Sequence, residues 1–150
     1  MSDTAQRDAL ILVVDDVPGI RQFFAALLRE AGYRTLEAGD GNAALALART
    51  HSPDLVLLDI RMPGLSGMEV LKELHRSDPA LPVVMVTGLD DVDTAVEAMH
   101  LGADDYLTKP VHNAEALASI ERALDRRRRA AASRPEAERT GSFPPLTQLL

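Results

Sequence analysis

The sequence predicts an α/β domain, a doubly wound five-stranded parallel sheet covered on both faces by helices. Three observations lead there. Short apolar runs recur at 10–14, 33–38, 54–58, 82–86 and 104–107, and segments with apolar residues three and four positions apart lie between them. Most of the runs are unbroken rather than alternating, which is the pattern of strands buried on both sides. Strands that alternate with helices in this way assemble as right-handed βαβ units.

The first run, Leu10-Ile11-Leu12-Val13-Val14, closes on Asp15 and Asp16. A helix follows, with Pro18 in its first turn, where a missing N–H is harmless, and Ile20, Phe23, Phe24, Leu27, Leu28 and Ala31 at helical spacing. Gly32 is its stop. The second run, Tyr33-Arg34-Thr35-Leu36-Glu37-Ala38, alternates apolar and polar residues and reads as an edge strand. After the Gly39-Asp40-Gly41 turn, Ala43, Ala44, Leu47 and Ala48 mark a second helix. The third run, Leu55-Val56-Leu57-Leu58, ends at Asp59. Ser66-Gly67-Met68-Glu69 reads as a capping box opening a helix that turns Val70, Leu71 and Leu74 inward. Asp91 is the expected cap of a fourth helix carrying Val92, Ala95, Val96 and Met99 and ended by Gly102. A fifth begins near Asn113, with Leu117, Ile120 and Leu124 on one side, and runs into Arg129.

At 150 residues the chain suits one domain with a core of its own and a short remainder. The expected division is a disordered 1–8, a folded 9–129 and a flexible linker or tail over 130–150. Its apolar fraction of 46% with few aromatics points to a core of Leu, Val, Ile, Ala and Met. No apolar stretch is long enough to span a bilayer, and the first residues lack a signal-peptide pattern, so a cytoplasmic protein without membrane attachment is expected. Without cysteine there is neither a disulfide framework nor a thiolate metal site. The net charge of −7 is uneven, because the acidic body is followed by Arg126-Arg127-Arg128-Arg129. An acidic body argues against direct nucleic-acid binding, and four arginines at a helix end read as a solvated extension.

The chemistry lies at the ends of the runs. In open α/β sheets the functional crevice lies outside the carboxyl ends of the strands. Asp15, Asp16, Asp59, Thr87 and Lys109 all fall there. A carboxylate can attack phosphorus to give an aspartyl-phosphate, and clustered carboxylates suit a hard, partly hydrated cation such as Mg²⁺. A hydroxyl and an ammonium can each meet a phosphoryl oxygen. Asp15-Asp16 alone says little, and Thr87-Gly88 says less. Asp59 followed by Met62-Pro63 and Gly67 is more telling, as is Lys109-Pro110 after Asp105-Tyr106-Leu107-Thr108.

With all four motifs in order, roughly residues 9–125 resemble the receiver domains of two-component response regulators, including the chemotaxis response regulator. The resemblance implies a flavodoxin-like fold with strand order 2-1-3-4-5. It implies that Asp59 accepts phosphate from a histidine kinase or phosphotransfer protein, and that Asp15, Asp16, Asp59 and the backbone carbonyl of Arg61 hold Mg²⁺. Thr87 matches the switch hydroxyl, Lys109 the phosphoryl-contacting lysine, and Tyr106 the switch aromatic, which is expected to swing inward as Thr87 moves. Pro110 is expected to follow a cis peptide bond, and the side chains of Arg61 and Leu89 to tune phosphoryl lifetime. The surface of the fourth helix, fifth strand and fifth helix would then change shape to control an output domain or partner, or to support a homodimer. No catalysis is implied beyond self-phosphorylation from a phosphodonor and slow loss of the phosphate.

Other readings weigh less. A degenerate receiver serving as a phosphate-independent scaffold leaves the intact residue set unexplained. A phosphatase with an Asp-x-Asp pair is not met, because Arg61 stands at the second position. No glycine-rich nucleotide loop is present, and His51, His75, His100 and His112 lack metal-ligand spacing and read as surface residues. Two architectures remain open. The chain is either a stand-alone receiver or the N-terminal receiver of a larger regulator, and a long fifth helix suits the second.

Overall fold

In the computed structural model, residues 8–88 and 92–132 are described. They form five parallel strands, β1 (Leu10–Val14), β2 (Arg34–Ala38), β3 (Leu55–Asp59), β4 (Val83–Thr87) and β5 (Asp105–Thr108). The helices are α1 (Pro18–Glu30), α2 (Gly41–His51), α3 (Gly67–Ser77), α4 (Val92–His100) and α5 (Asn113–Ala132). The sheet order is β2-β1-β3-β4-β5, so β2 is an edge, as its alternation predicts. The order reverses between β1 and β3, which opens the crevice at their carboxyl ends.

Each central strand sends alternate side chains to opposite faces. Leu12, Val14, Val56, Leu58, Val83 and Met85 pack against Ala44, Val70, Leu71 and Ala95 from α2, α3 and α4. Ile11, Val13, Leu55, Leu57, Val84 and Val86 pack against Phe24, Leu28, Ala116 and Ile120 from α1 and α5. Burying each such side chain contributes about 1.5–3 kcal/mol, so the middle of the sheet is the most stable part of the frame.

The last three strands run one residue beyond their apolar stretches and take in Asp59, Thr87 and Thr108. Backbone pairing continues across them: Asp59 lies opposite Val86, and Thr87 opposite Thr108. Apolar character marks what the sheet buries, whereas the ladder depends only on backbone groups. The polar residues at the rim are therefore held by the sheet itself rather than by a loop.

Local chemistry explains the helix starts. Asp40 accepts from the Ala43 N–H, and the Ser66–Glu69 capping box closes in both directions. The expected cap Asp91 lies outside the described residues, as do Leu89, residues 1–7 and residues 133–150. Not every apolar residue at helical spacing turns inward. Phe23 is 50% exposed, because Phe24, Ala25 and Leu28 take the buried face of α1. On α4 only Ala95 and Ala98 are buried, and Val92 and Val96 face outward. The arginine run is not wholly solvated: Arg126 pairs with Asp104, and Arg127 with Asp78 at 2.9 Å. His75 is also half-buried, with Nε2 2.9 Å from the Leu81 carbonyl oxygen.

One glycine directly shapes the rim. A Cβ on Gly67 would stand 2.7 Å from Ile60 Cα and closer still to the Asp59 carbonyl oxygen, whereas a Cβ on Gly19 would meet nothing within 4 Å. Gly67→Ala is therefore expected to destabilise the domain by about 2 kcal/mol or more. Gly19→Ala should leave stability unchanged or raise it by roughly 0.5 kcal/mol through helix propensity. Urea denaturation of both variants checks this; equal effects would contradict the close approach at Gly67.

Candidate functional site

The rim collects side chains from four strand ends. Asp15 and Asp16 follow β1, Asp59 ends β3, Thr87 ends β4 and Lys109 follows β5. Asp59 and Thr87 are only 4% and 1% exposed, and Asp15 is equally buried. One carboxylate oxygen from each of Asp15, Asp16 and Asp59 can be chosen so that all lie within 4.8 Å of one another. Lys109 Nζ stands 3.7 Å from both Asp15 Oδ2 and Asp59 Oδ2, so a single ammonium is shared between two buried acids.

Backbone contacts fix these groups. Asp15 Oδ1 accepts from the Val17 N–H at 2.9 Å, and Asp59 Oδ1 accepts from the Arg61 N–H at 3.3 Å. The Lys109 N–H donates to the Thr87 carbonyl at 2.8 Å, which ties the lysine to the end of β4. The Lys109–Pro110 peptide is cis. The Thr87 hydroxyl donates to the Gly88 carbonyl at 3.1 Å. Tyr106 lies opposite Met85 in the sheet and is half-buried against the core shared with α4. Arg61 is exposed at the mouth of an open cleft of about 630 Å³, which Asp16, Met62, Ser66, Met68 and Thr94 also line.

The electrostatics explain why the donors suit a cation. Burial and then the neighbouring Asp15 charge raise the Asp59 carboxyl from the ordinary 3.8 to about 6. Lys109 and the Arg61 N–H oppose that rise, and Asp16 adds to it. One ammonium does not balance three crowded carboxylates. Oxygen donors with excess negative charge fit Mg²⁺, which prefers carboxylates plus retained waters.

All the acids, the hydroxyl and the lysine that the sequence singled out meet at this rim, and Tyr106 lies on the adjoining strand. The sequence reading did not pick out Arg21, whose Nη1 donates to the Asp15 carbonyl at 2.8 Å. It also missed Ser119, a buried hydroxyl of α5 that donates to Asp105 at 2.7 Å. Each reaches a motif residue from a helix outside the motif, and neither carries a local pattern.

The raised Asp59 carboxyl has a consequence for stability. A group whose folded pKa exceeds its unfolded value gives stability that is full below the unfolded value and lost as pH rises through the folded one. With divalent ions chelated, the wild type should therefore lose stability between about pH 4 and pH 6. Asp59→Asn lacks this cost and should be the more stable protein above pH 7, by on the order of 2–3 kcal/mol. The gap should close below pH 4. Urea melts across this range check it, and a gap independent of pH would contradict it.

Comparison with known proteins bears on the same region. Residues 11–121 match the family described as "Response regulator receiver domain". The "Probable transcriptional regulatory protein TcrX" of Mycobacterium tuberculosis is 41% identical over 117 residues, covering 78% of this chain and 50% of that protein. The "DNA-binding transcriptional regulator NtrC" of Salmonella typhimurium is 42% identical over 115 residues, covering 77% of this chain and 24% of that one. The chain thus spans half or less of the length of these curated relatives. Among solved structures, a response regulator receiver domain protein from Clostridium thermocellum is similar with a TM-score of 0.77. It shares 37% identity, and the match covers 80% of this chain and 97% of that one. NtrX from Brucella abortus is similar with a TM-score of 0.80 and 39% identity, covering 85% of this chain and 30% of that one. Because the family match reaches from β1 into α5, and its relatives share about two residues in five over the same stretch, the chain belongs to the response regulator receiver domains of two-component signalling.

Proposed function

We propose that the chain is a phosphoacceptor switch in which Asp59 takes a phosphoryl group from the phosphohistidine of a histidine kinase or phosphotransfer protein. The observation that carries this reading is the buried Asp59 carboxylate beside two further acids, with Lys109 shared between Asp59 and Asp15. Asp15, Asp16, Asp59 and the Arg61 backbone carbonyl would hold Mg²⁺. When bound, the ion supplies neutralisation of the acids and of the phosphoryl oxygens.

The residues have separate tasks. An ionised Asp59 oxygen forms the new O–P bond while the donor's P–N bond breaks and its imidazole departs. Ionisation is favoured above about pH 6, given the raised carboxyl. Lys109 pairs with a phosphoryl oxygen as a point charge, and its anchorage to β4 limits how far it must move. The cleft beside Asp16 and Arg61 gives a donor side chain room to approach.

Switching follows from Thr87. Its hydroxyl must leave the Gly88 carbonyl to donate to the phosphoryl group, which draws the end of β4 toward Asp59. The half-buried Tyr106 then turns into the space released, and the α4–β5–α5 face changes. Such coupling amounts to about 1–3 kcal/mol between sites, so the unmodified chain samples the active form at a low level. The readers of that face are an output domain or a partner protein, a role in keeping with relatives named as DNA-binding regulators, and homodimerisation through α4 and α5 is one form the readout takes. The chain acts in the cytoplasm; among the described residues no helix is long and apolar enough to cross a membrane. It turns over no external substrate and only slowly loses its own phosphate.

Incubation with radiolabelled acetyl phosphate and Mg²⁺ tests this. Wild type should label stoichiometrically and Asp59→Asn should not. Lys109→Met should label more slowly by roughly 10–100-fold, as expected when a charge that stabilises the transferring group is removed. Thr87→Ala should label but fail to change its α4–β5–α5 amide shifts. Equal labelling of wild type and Asp59→Asn contradicts the reading, and sustained hydrolysis of p-nitrophenyl phosphate would point to a metal-dependent hydrolase.

A further inference from the structure

We propose that Arg21 is a positioning residue for the acid pair, setting the Asp15–Asp16 peptide so that the two carboxylates are presented together to a divalent cation. The inference rests on the phosphoacceptor reading above and adds to it a residue outside the acid, hydroxyl and lysine set.

Arg21 lies in the first turns of α1 and is only 18% exposed, which is low for a side chain that usually reaches solvent. Its guanidinium is held on two sides. Nη1 donates to the Asp15 carbonyl at 2.8 Å, and Nε donates to Glu37 Oε1 on β2 at 3.2 Å. Gly39 leaves the space the group occupies, since a Cβ there would stand 3.2 Å from Nη1. Glu37 thus aims the fork, and the turn after β2 closes over it.

The same contacts form a circuit through the acid pair. The Val17 N–H donates to Asp15 Oδ1, the Arg21 N–H donates to the Val17 carbonyl at 3.0 Å, and Arg21 Nη1 returns to the Asp15 carbonyl. On the other side the Asp15 N–H donates to the Ala38 carbonyl at 3.2 Å. Asp16 sits between two residues of this circuit, so its backbone cannot shift independently of them. The loop after β1 would otherwise carry two adjacent like charges, which favours splaying them apart. A guanidinium that donates from Nη1 to the intervening carbonyl while Nε is held by Glu37 opposes this, and a lysine cannot reproduce it because its ammonium is not a planar fork with two donors at fixed spacing.

Two roles for Arg21 make opposite predictions. A cation near an acid cluster repels Mg²⁺, so if Arg21 acted only through charge, removing it would tighten binding. If it positions the acids, removal weakens binding although a repelling charge is gone. Isothermal calorimetry of Mg²⁺ binding on the full chain, without phosphodonor, separates them. Wild type, Arg21→Lys, Arg21→Met and Glu37→Gln are compared at a temperature where circular dichroism shows each to be folded. The expected result is that Arg21→Lys and Arg21→Met both bind roughly tenfold more weakly, the loss of about one charge-assisted hydrogen bond. Glu37→Gln, which leaves the arginine but loosens its aim, should fall between them and wild type. Arg21→Lys equal to wild type, with Arg21→Met equal or tighter, overturns the inference and leaves the phosphoacceptor reading intact. If the Arg21 variants do not fold, Glu37→Gln decides alone, and unchanged affinity there overturns the inference. Wild type that binds no Mg²⁺ removes the phosphoacceptor reading and this inference together.

Discussion

Like charges crowded into a buried rim are the constraint on which the rest of the structure depends. Three carboxylates share a small space with one ammonium, and burial, followed by the charge of Asp15, raises the Asp59 carboxyl toward neutrality. Left to itself such a cluster would spread apart or take up protons. The sheet prevents spreading, because Asp59 is the last paired residue of β3 and its neighbours are fixed by the ladder. What remains is a standing demand for positive charge, which Lys109 meets only in part and which a divalent ion would meet under the proposed function. Under the proposed function, the site would draw its reactivity from a local instability that the core restrains.

The frame is stiff where it supports the acids and looser where the signal would leave. β1 and β3 are packed on both faces by fully buried side chains, and Gly67 lets α3 press directly on the backbone at Asp59 and Ile60. In contrast, α4 buries chiefly Ala95 and Ala98 and leaves two valines exposed, so little apolar surface fixes it. Low local burial is a property of elements that move at modest cost. On α5, Ser119 and Arg122 contact Asp105 and Arg126 contacts Asp104, the two residues that precede Tyr106. A displacement of β5 is thus mechanically linked to α5, although exposed ion pairs of this kind each add little stability.

Much of this was legible in the sequence because burial and chemistry leave separate marks. Unbroken apolar runs gave the central strands, alternation gave the edge strand, and Ser66 with Glu69 announced the start of α3. The strand ends were read one residue short at Asp59, Thr87 and Thr108, since the ladder continues where hydrophobicity stops. Phe23, Val92 and Val96 sit at helical spacing and still face outward, since that spacing records a stripe without weighing the small alanines that take the interface. The paired acids and the lysine were found through their positions at run ends. Arg21, Ser119, and the contacts of Arg126 and Arg127 to acids of the body could not be found this way. Their partners lie on other elements, and only the assembled fold brings them together.

The most direct test of the central claim is to titrate the wild-type chain with beryllofluoride and Mg²⁺, a non-covalent mimic of the phosphoryl group, and follow backbone amides by NMR. Perturbations are expected at the rim, around Asp15, Asp16, Asp59, Thr87 and Lys109, with a coupled set around Tyr106, α4 and the first turns of α5. Shifts confined to other surfaces, or none at saturating mimic and metal, would contradict the account.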